Sequence, residues 1–318
     1  MIAKIRFGKI ELIGITNILI FVFAILYWLS TCFYHLIVTD ILTDWVNTPW
    51  GKFIPRDYSM QIGIAVSAIF FFYIIYQFVK GTRRLTTVFY WVFLASSVLL
   101  AFRYLITAPI EIIHFPQYAI LSILLARVFD KDKKKFMLGT IFFCVTMMGV
   151  LDEINQYFYL TRQYTEYLDW NDFTLNEIGA AIGLLTYYGF INNGDRKWIF
   201  KDIILSAGSK FIIIISSIVF ILFVLGILKF YTSVKLSSAI FLDEHNMLKI
   251  YLERLPGKYG SWQERDLGGY FYTLNCINGP LIMALFGFVF YSFSFNCITY
   301  VKRYILKIKR SVEHDTNT

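Results

Sequence analysis

The chain of 318 residues is 57% apolar, 19% aromatic and only 16% charged, with a formal net charge of +8. Soluble domains average about 45–50% apolar and about 25% charged residues. Here the excess gathers into runs of about twenty residues, the length that crosses a bilayer core. This composition excludes a soluble fold and a disordered chain. It also removes the nucleic-acid reading that a basic soluble protein invites, because in a membrane protein surplus Lys and Arg mark cytoplasmic loops. Cys32, Cys144, Cys276 and Cys297 form no CxxC pair and three lie inside apolar runs, so neither a disulfide framework nor a zinc ribbon is expected.

Eight apolar spans are expected, at about 12–38, 60–79, 86–107, 112–129, 136–158, 174–191, 211–230 and 281–300. The first follows Lys4, Arg6 and Lys9, but it is too long for a signal-peptide core and lacks an A-x-A cleavage site, so it is expected to be retained. Lys80, Arg83 and Arg84 follow span two, and Arg127, Lys131, Lys133, Lys134 and Lys135 follow span four. Arg196, Lys197, Lys201 and Lys210 separate spans six and seven, and Lys302, Arg303, Lys307, Lys309 and Arg310 follow span eight. If all eight spans cross, these groups share one side, which the positive-inside tendency makes the cytoplasm, with both termini. The expected fold class is an all-α polytopic integral membrane protein. Its parts are a helix pair in 1–84, a four-helix core in 85–195, and a second pair in 196–318 with an external segment at about 231–280.

The opposite side carries acidic chemistry. The connection 159–173 holds Glu166, Asp169 and Asp172 against Arg162. Within the external segment, 239–255 places Phe241, Met247, Leu248, Tyr251, Leu252 and Leu255 near one helical face and stops at Pro256-Gly257. The expectation is an amphipathic helix, lying on the outer membrane surface or packing onto the spans.

Ionisable residues inside spans are costly and usually face a bundle interior or a wet cavity. Glu111 and His114 at the start of span four are spaced i, i+3 and share a face. Near the end of span five, Asp152 and Gln156 are i, i+4 and Glu153 and Gln156 are i, i+3; Asp152 lies ~9 Å below the outer end. Span six opens with Asp172, Asn176 and Ala180 at i, i+4 spacing, and Gly179 and Gly183 form a GxxxG suited to close packing. The topology brings Glu111, His114, Asp152, Glu153, Gln156, Arg162, Asp169 and Asn176 into the outer leaflet, at the depth of a lipid headgroup.

The run Glu111, His114, Tyr118 and Leu121, followed by Asp152, Glu153, Gln156, Arg162, Asp169, Asn176, Gly179 and Gly183, resembles the VanZ-like family. That family takes its name from an accessory protein of teicoplanin resistance. The resemblance covers about 85–195. Gln117 stands where some members carry an acid, and Pro116 follows the histidine directly. The resemblance implies a cell-envelope protein of the bacterial cytoplasmic membrane, linked to glycopeptide resistance, whose partner is a membrane lipid or lipid-linked cell-wall precursor rather than nucleic acid.

In a catalytic reading, Glu153 or Asp152 is the base, assisted by His114. Two neighbouring carboxylates can share a proton, and the Arg162 fork suits a phosphate. Glu111, Gln156, Asp169 and Asn176 complete the binding set. Each residue also has a structural reading. Glu111 suits a helix N-terminus, Asp169 or Asp172 suits a cap, Asn176 suits a helix-to-helix hydrogen bond, and Arg162 or Arg103 suits neutralisation of the acids. Two other classes therefore stand beside the enzyme: a non-catalytic accessory or scaffold protein and, third, a proton-coupled transporter. His35 and His245 fall on the outer side and His314 in the tail, leaving His114 as the histidine on the motif face. A metal site of His114 with carboxylates is the lesser reading, since no HExxH or HxH accompanies it, and no cofactor is expected. Walker A, GxSxG and GxGxxG motifs are absent.

Overall fold

A computed structural model describes residues 16–33, 46–48, 51–53, isolated helical positions between Gln61 and Val79, and 85–133, 137–160, 165–188, 207–265 and 268–292. The helices are α1 (Thr16–Phe33), α2 (Leu85–Tyr104), α3 (His114–Phe129), α4 (Leu138–Asn155), α5 (Trp170–Tyr188), α6 (Ala207–Val224) and α7 (Asn278–Ser292). A 3-10 turn, Pro109–Ile113, leads into α3, and a π turn, Gln156–Leu160, extends α4. Seven short strands accompany them among the described residues: β1 (Val46–Thr48), β2 (Gly51–Phe53), β3 (Leu228–Lys229), β4 (Ile240–Leu242), β5 (Leu248–Tyr251), β6 (Trp262–Glu264) and β7 (Tyr270–Tyr272). The chain is thus predominantly helical but not all-α.

Among the described residues, three helical stretches are long and apolar enough to cross a membrane: Thr16–Phe33, Ile110–Phe129 and Leu138–Leu160. Shorter apolar helices run over Val88–Tyr104, Ile213–Val224 and Asn278–Phe290. The outward faces of α1 and α6 expose Ile18, Phe23, Leu26, Ile213, Ile214 and Phe220. In water such a surface would be an aggregation liability; against lipid tails it is ordinary. α5 is different. It carries Asp172, Asn176 and Glu177 with a run of Gly and Ala, and it is buried along almost its whole length. The sequence explains this, because small residues let the backbones of neighbouring helices close in around a central helix. A Cβ on Gly179 would lie 2.8 Å from the His114 carbonyl oxygen and 2.9 Å from that of Phe115. One on Gly183 would collide with Ser122 Oγ and the Ala119 carbonyl. On α4, Gly149 makes room for Asn176 Cβ at 3.0 Å and Tyr118 Cε1 at 3.2 Å.

The expected span 211–230 ends early, at Val224. Gly226 adopts φ 67°, Ile227 N–H donates to the Leu222 carbonyl at 3.0 Å, and the left-handed cap turns the chain into β3. The expected amphipathic helix at 239–255 is not formed. β4 and β5 make an antiparallel hairpin there, and β3 joins β5 in parallel. The cause is the turn Asp243–Met247. Asp243 Oδ1 accepts the N–H groups of His245 at 2.9 Å and Met247 at 2.8 Å, Asn246 takes φ 57°, and Asp243 N–H donates to the Met247 carbonyl at 2.9 Å. Asp and Asn tolerate such local turns better than a helix interior. β6 and β7 form a second antiparallel pair.

The strand-bearing segment after α6 is stitched to the connection before α5. Leu168 N–H donates to the Leu252 carbonyl at 2.8 Å, and Arg254 N–H to that of Glu166 at 2.7 Å. Tyr259 OH donates to the Leu168 and Leu252 carbonyls, and Tyr157 OH to that of Tyr251. The Glu253 carboxylate is buried and accepts backbone N–H bonds from Lys258 and Tyr259 at 2.8 and 3.0 Å. Asn171 adds bonds to Leu105 and Leu274, so the segments 105–111, 165–172, 228–265 and 268–277 meet at one end of the bundle. At the opposite end, Tyr188 OH donates to Asp130 Oδ2 at 3.0 Å and Lys133 Nζ to the Tyr187 carbonyl at 2.7 Å. Most of span two, the basic groups at 4–9, 80–84, 134–135, 196–201 and 302–310, and Arg162 lie outside the described residues.

Candidate functional site

The site forms where α3, α4 and α5 meet near the end covered by β3–β7. Ala108 is extended, as the residue before a proline must be. Pro109 opens the 3-10 turn, which delivers His114 to the first position of α3. His114 is 2% exposed, and its ring stacks 6.4 Å from that of Tyr118 one turn on. Asp152 and Glu153 occupy the last turn of α4 and are 1% and 3% exposed. Asn176, second turn of α5, is 1% exposed.

A continuous polar chain links three helices. Asn176 Nδ2 donates to Glu153 Oε1 at 3.1 Å, which fixes the direction of the amide. Asn176 Oδ1 lies 2.7 Å from His114 Nδ1, so that nitrogen carries the proton of the neutral ring. His114 Nε2 then faces Asp172 Oδ1 at 3.7 Å. Beside this chain, Tyr118 OH donates to Asp152 Oδ2 at 2.8 Å. Asp152 Oδ1 and Asp172 Oδ1 are buried and accept no hydrogen bond among the described residues. One ligand atom each from His114, Glu153 and Asp172 lie within 4.8 Å of one another. Chemically, the arrangement holds an oriented imidazole, two adjacent buried carboxylates, one of them hydrogen-bonded to a phenol, and a third carboxylate opposite the imidazole.

The remaining expected residues fall into different settings. Gln156 is buried on the π turn that follows Glu153, a local irregularity common at functional sites. Glu111 folds back so that Oε2 accepts the N–H of Thr107 at 2.7 Å, a local structural bond. Asp169 is the N-cap of α5: its Oδ1 accepts the N–H of Asn171 at 2.8 Å and of Asp172 at 3.4 Å. Burial pushes its carboxyl up to about 6, against those same hydrogen bonds. Arg103 reaches the face of the Tyr104 ring, 5.8 Å from its centroid.

Three residues were not among the candidates. Tyr118 was legible as the i+4 neighbour of His114. Asp172 was legible only as a cap, a role that Asp169 fills. Glu177 is 3% exposed on α5, yet it faces away toward α7, where a Cβ on Gly287 would lie 3.0 Å from its Oε1, beside Phe142. Its Oε2 accepts no hydrogen bond among the described residues. The signal was a carboxylate inside an otherwise apolar stretch.

No family model matches the chain, and neither does any curated protein or solved structure.

Proposed function

We propose that this chain is a VanZ-like protein of the bacterial cytoplasmic membrane that binds a lipid or lipid-linked glycan headgroup at the outer leaflet and, through Glu153, Asp152 and His114, modifies it. The observation that carries this reading is the buried chain Glu153–Asn176–His114, set beside Asp152 and Asp172 near one end of an apolar bundle. Keeping so many acidic groups from water costs several kcal/mol, and intramembrane carboxylates retained at such a cost usually serve a site. The fixed His114 tautomer leaves Nε2 as the proton-accepting atom of the neutral ring, facing Asp172. Arg162, carried over from the family pattern, would meet the phosphate.

A scaffold role is the second reading. It is favoured by Glu111, Asp169 and Asn171, whose side chains are spent on backbone bonds that hold this end together. Lipid mass spectrometry on cells lacking the protein, complemented with wild type or with Glu153→Gln, separates the two. The enzyme reading expects a headgroup species that changes on deletion, returns with wild type and does not return with Glu153→Gln. An unchanged lipid profile in the deletion strain contradicts it.

A further inference from the structure

We infer that His114 Nε2 and the carboxylates of Glu153 and Asp172 bind one divalent first-row cation, Zn2+ or Mn2+. The inference rests on the reading of this cluster as a functional site, and it adds the class of ligand the site takes. The three ligand atoms already lie within 4.8 Å of one another. Bonds of about 2.0–2.2 Å to a common ion require inward movements of under roughly 1 Å at each side chain.

The second line of argument is the imidazole. A metal-ligating histidine usually donates its other ring N–H to an oxygen that fixes its tautomer and orientation. Here Asn176 Oδ1 is that oxygen, at 2.7 Å, and the amide is itself oriented by Glu153 at 3.1 Å. The neutral ring then turns a lone pair at Nε2 toward Asp172 Oδ1, 3.7 Å away. With the ring neutral and the carboxylate ionised, this contact becomes attractive once a proton or a cation lies between the two atoms. The third line is the state of the carboxylates. Among the described residues Asp172 Oδ1 accepts no hydrogen bond, and neither does Oδ1 of the neighbouring Asp152, a residue only 1% exposed.

One imidazole with two carboxylates suits a borderline ion such as Zn2+ or a harder one such as Mn2+ and disfavours soft Cu(I). Three protein ligands leave coordination positions open, the pattern of sites that bind an exchangeable water or substrate oxygen. Glu177 serves as the internal contrast. It is equally buried on the same helix, but it faces Gly287 and Phe142 rather than a second ligand.

The test is metal content. Full-length protein purified in detergent is stripped with chelator, equilibrated with Zn2+ or Mn2+, desalted and analysed by elemental mass spectrometry. One equivalent per chain is expected in wild type and in Glu177→Gln. Affinity should fall at least tenfold in His114→Gln, Glu153→Gln and Asp172→Asn. A folded wild type that retains no metal overturns the inference, as does retention unchanged in all three variants. Should those variants lose their fold, replacing His35, His245 and His314 by Gln leaves His114 as the sole imidazole. Pulsed EPR of bound Mn2+ must then show coupling to one imidazole nitrogen, and its absence overturns the assignment. A metal-free wild type whose lipid phenotype still depends on Glu153 would sink the cation while leaving the proposed function standing.

Discussion

Asn171 is fully buried and joins three segments through one amide. Its Nδ2 donates to the Leu105 carbonyl at 2.8 Å and the Tyr272 carbonyl at 2.9 Å, and its Oδ1 accepts the Leu274 N–H at 3.0 Å. Asn171→Ala orphans all three groups, and each buried orphan costs about 1–3 kcal/mol. The melting temperature in detergent should fall by several degrees, and an unchanged value would show that water replaces the amide. This role was not legible, because an Asn at a helix start reads as a capping residue and its partners lie far away in sequence. The motif residues were more legible. The order of spans brings His114 to Asp152, Glu153 and Asn176, whereas Glu111, expected on the same face, sits on the preceding 3-10 turn and bonds the Thr107 N–H. Cys276 yields a second expectation. Burial pushes its thiol up to about 11. Its thiolate fraction at pH 8 is then on the order of a thousandth, rising tenfold per pH unit toward 11. Alkylation of Cys276 in the folded protein should be slow at pH 8 and accelerate in step with pH; fast labelling at pH 8 contradicts this environment.

At the scale of elements, the α3–α5 contact is the tightest constraint on the bundle. Gly179→Leu would drive a branched side chain into the His114 and Phe115 carbonyls, which sit under 3.0 Å from a Cβ at that position. Overpacking of this kind costs about 1–3 kcal/mol or more, and here it also displaces His114. Protein yield and heat stability in detergent should both drop, and a stable Gly179→Leu protein would mean that the two helices do not meet as described. The GxxxG spacing made this contact readable. The β4–β5 hairpin was not readable as such, because Phe241, Met247, Leu248 and Tyr251 satisfy a helical face while short strands leave almost no periodicity to detect. The deciding signal was the Asp243–Asn246 turn, whose polar residues favour their own backbone over a helix. Likewise, α5 hides its central position behind an ordinary-looking polarity. Its carboxylates lower its hydropathy, while its small residues determine its packing.

At the scale of the molecule, the order of the spans predicted that Glu111, the connection 159–173 and the segment at about 231–280 share a side, and the described parts of these segments meet at one end of the bundle. Which side of the membrane that end faces rests on the basic residues, many of which fall outside the described residues. Cysteine placed at Lys133 or at Thr165, in a background without native cysteines, tests it with a membrane-impermeant thiol reagent. Position 165 should label in intact cells and position 133 only after lysis; labelling of 133 in intact cells reverses the orientation and with it the outer-leaflet site. The central claim, that the buried cluster is a site rather than a strut, is tested most directly on one variant. In Glu153→Gln the new side-chain oxygen still accepts the Asn176 amide, while a charge that is costly away from water is removed. Melting temperature of the chelator-stripped protein in detergent and rescue of the deletion phenotype should be measured on the same variant. The account predicts a melting temperature equal to or above wild type together with loss of rescue. A variant that melts like wild type and rescues fully would contradict it.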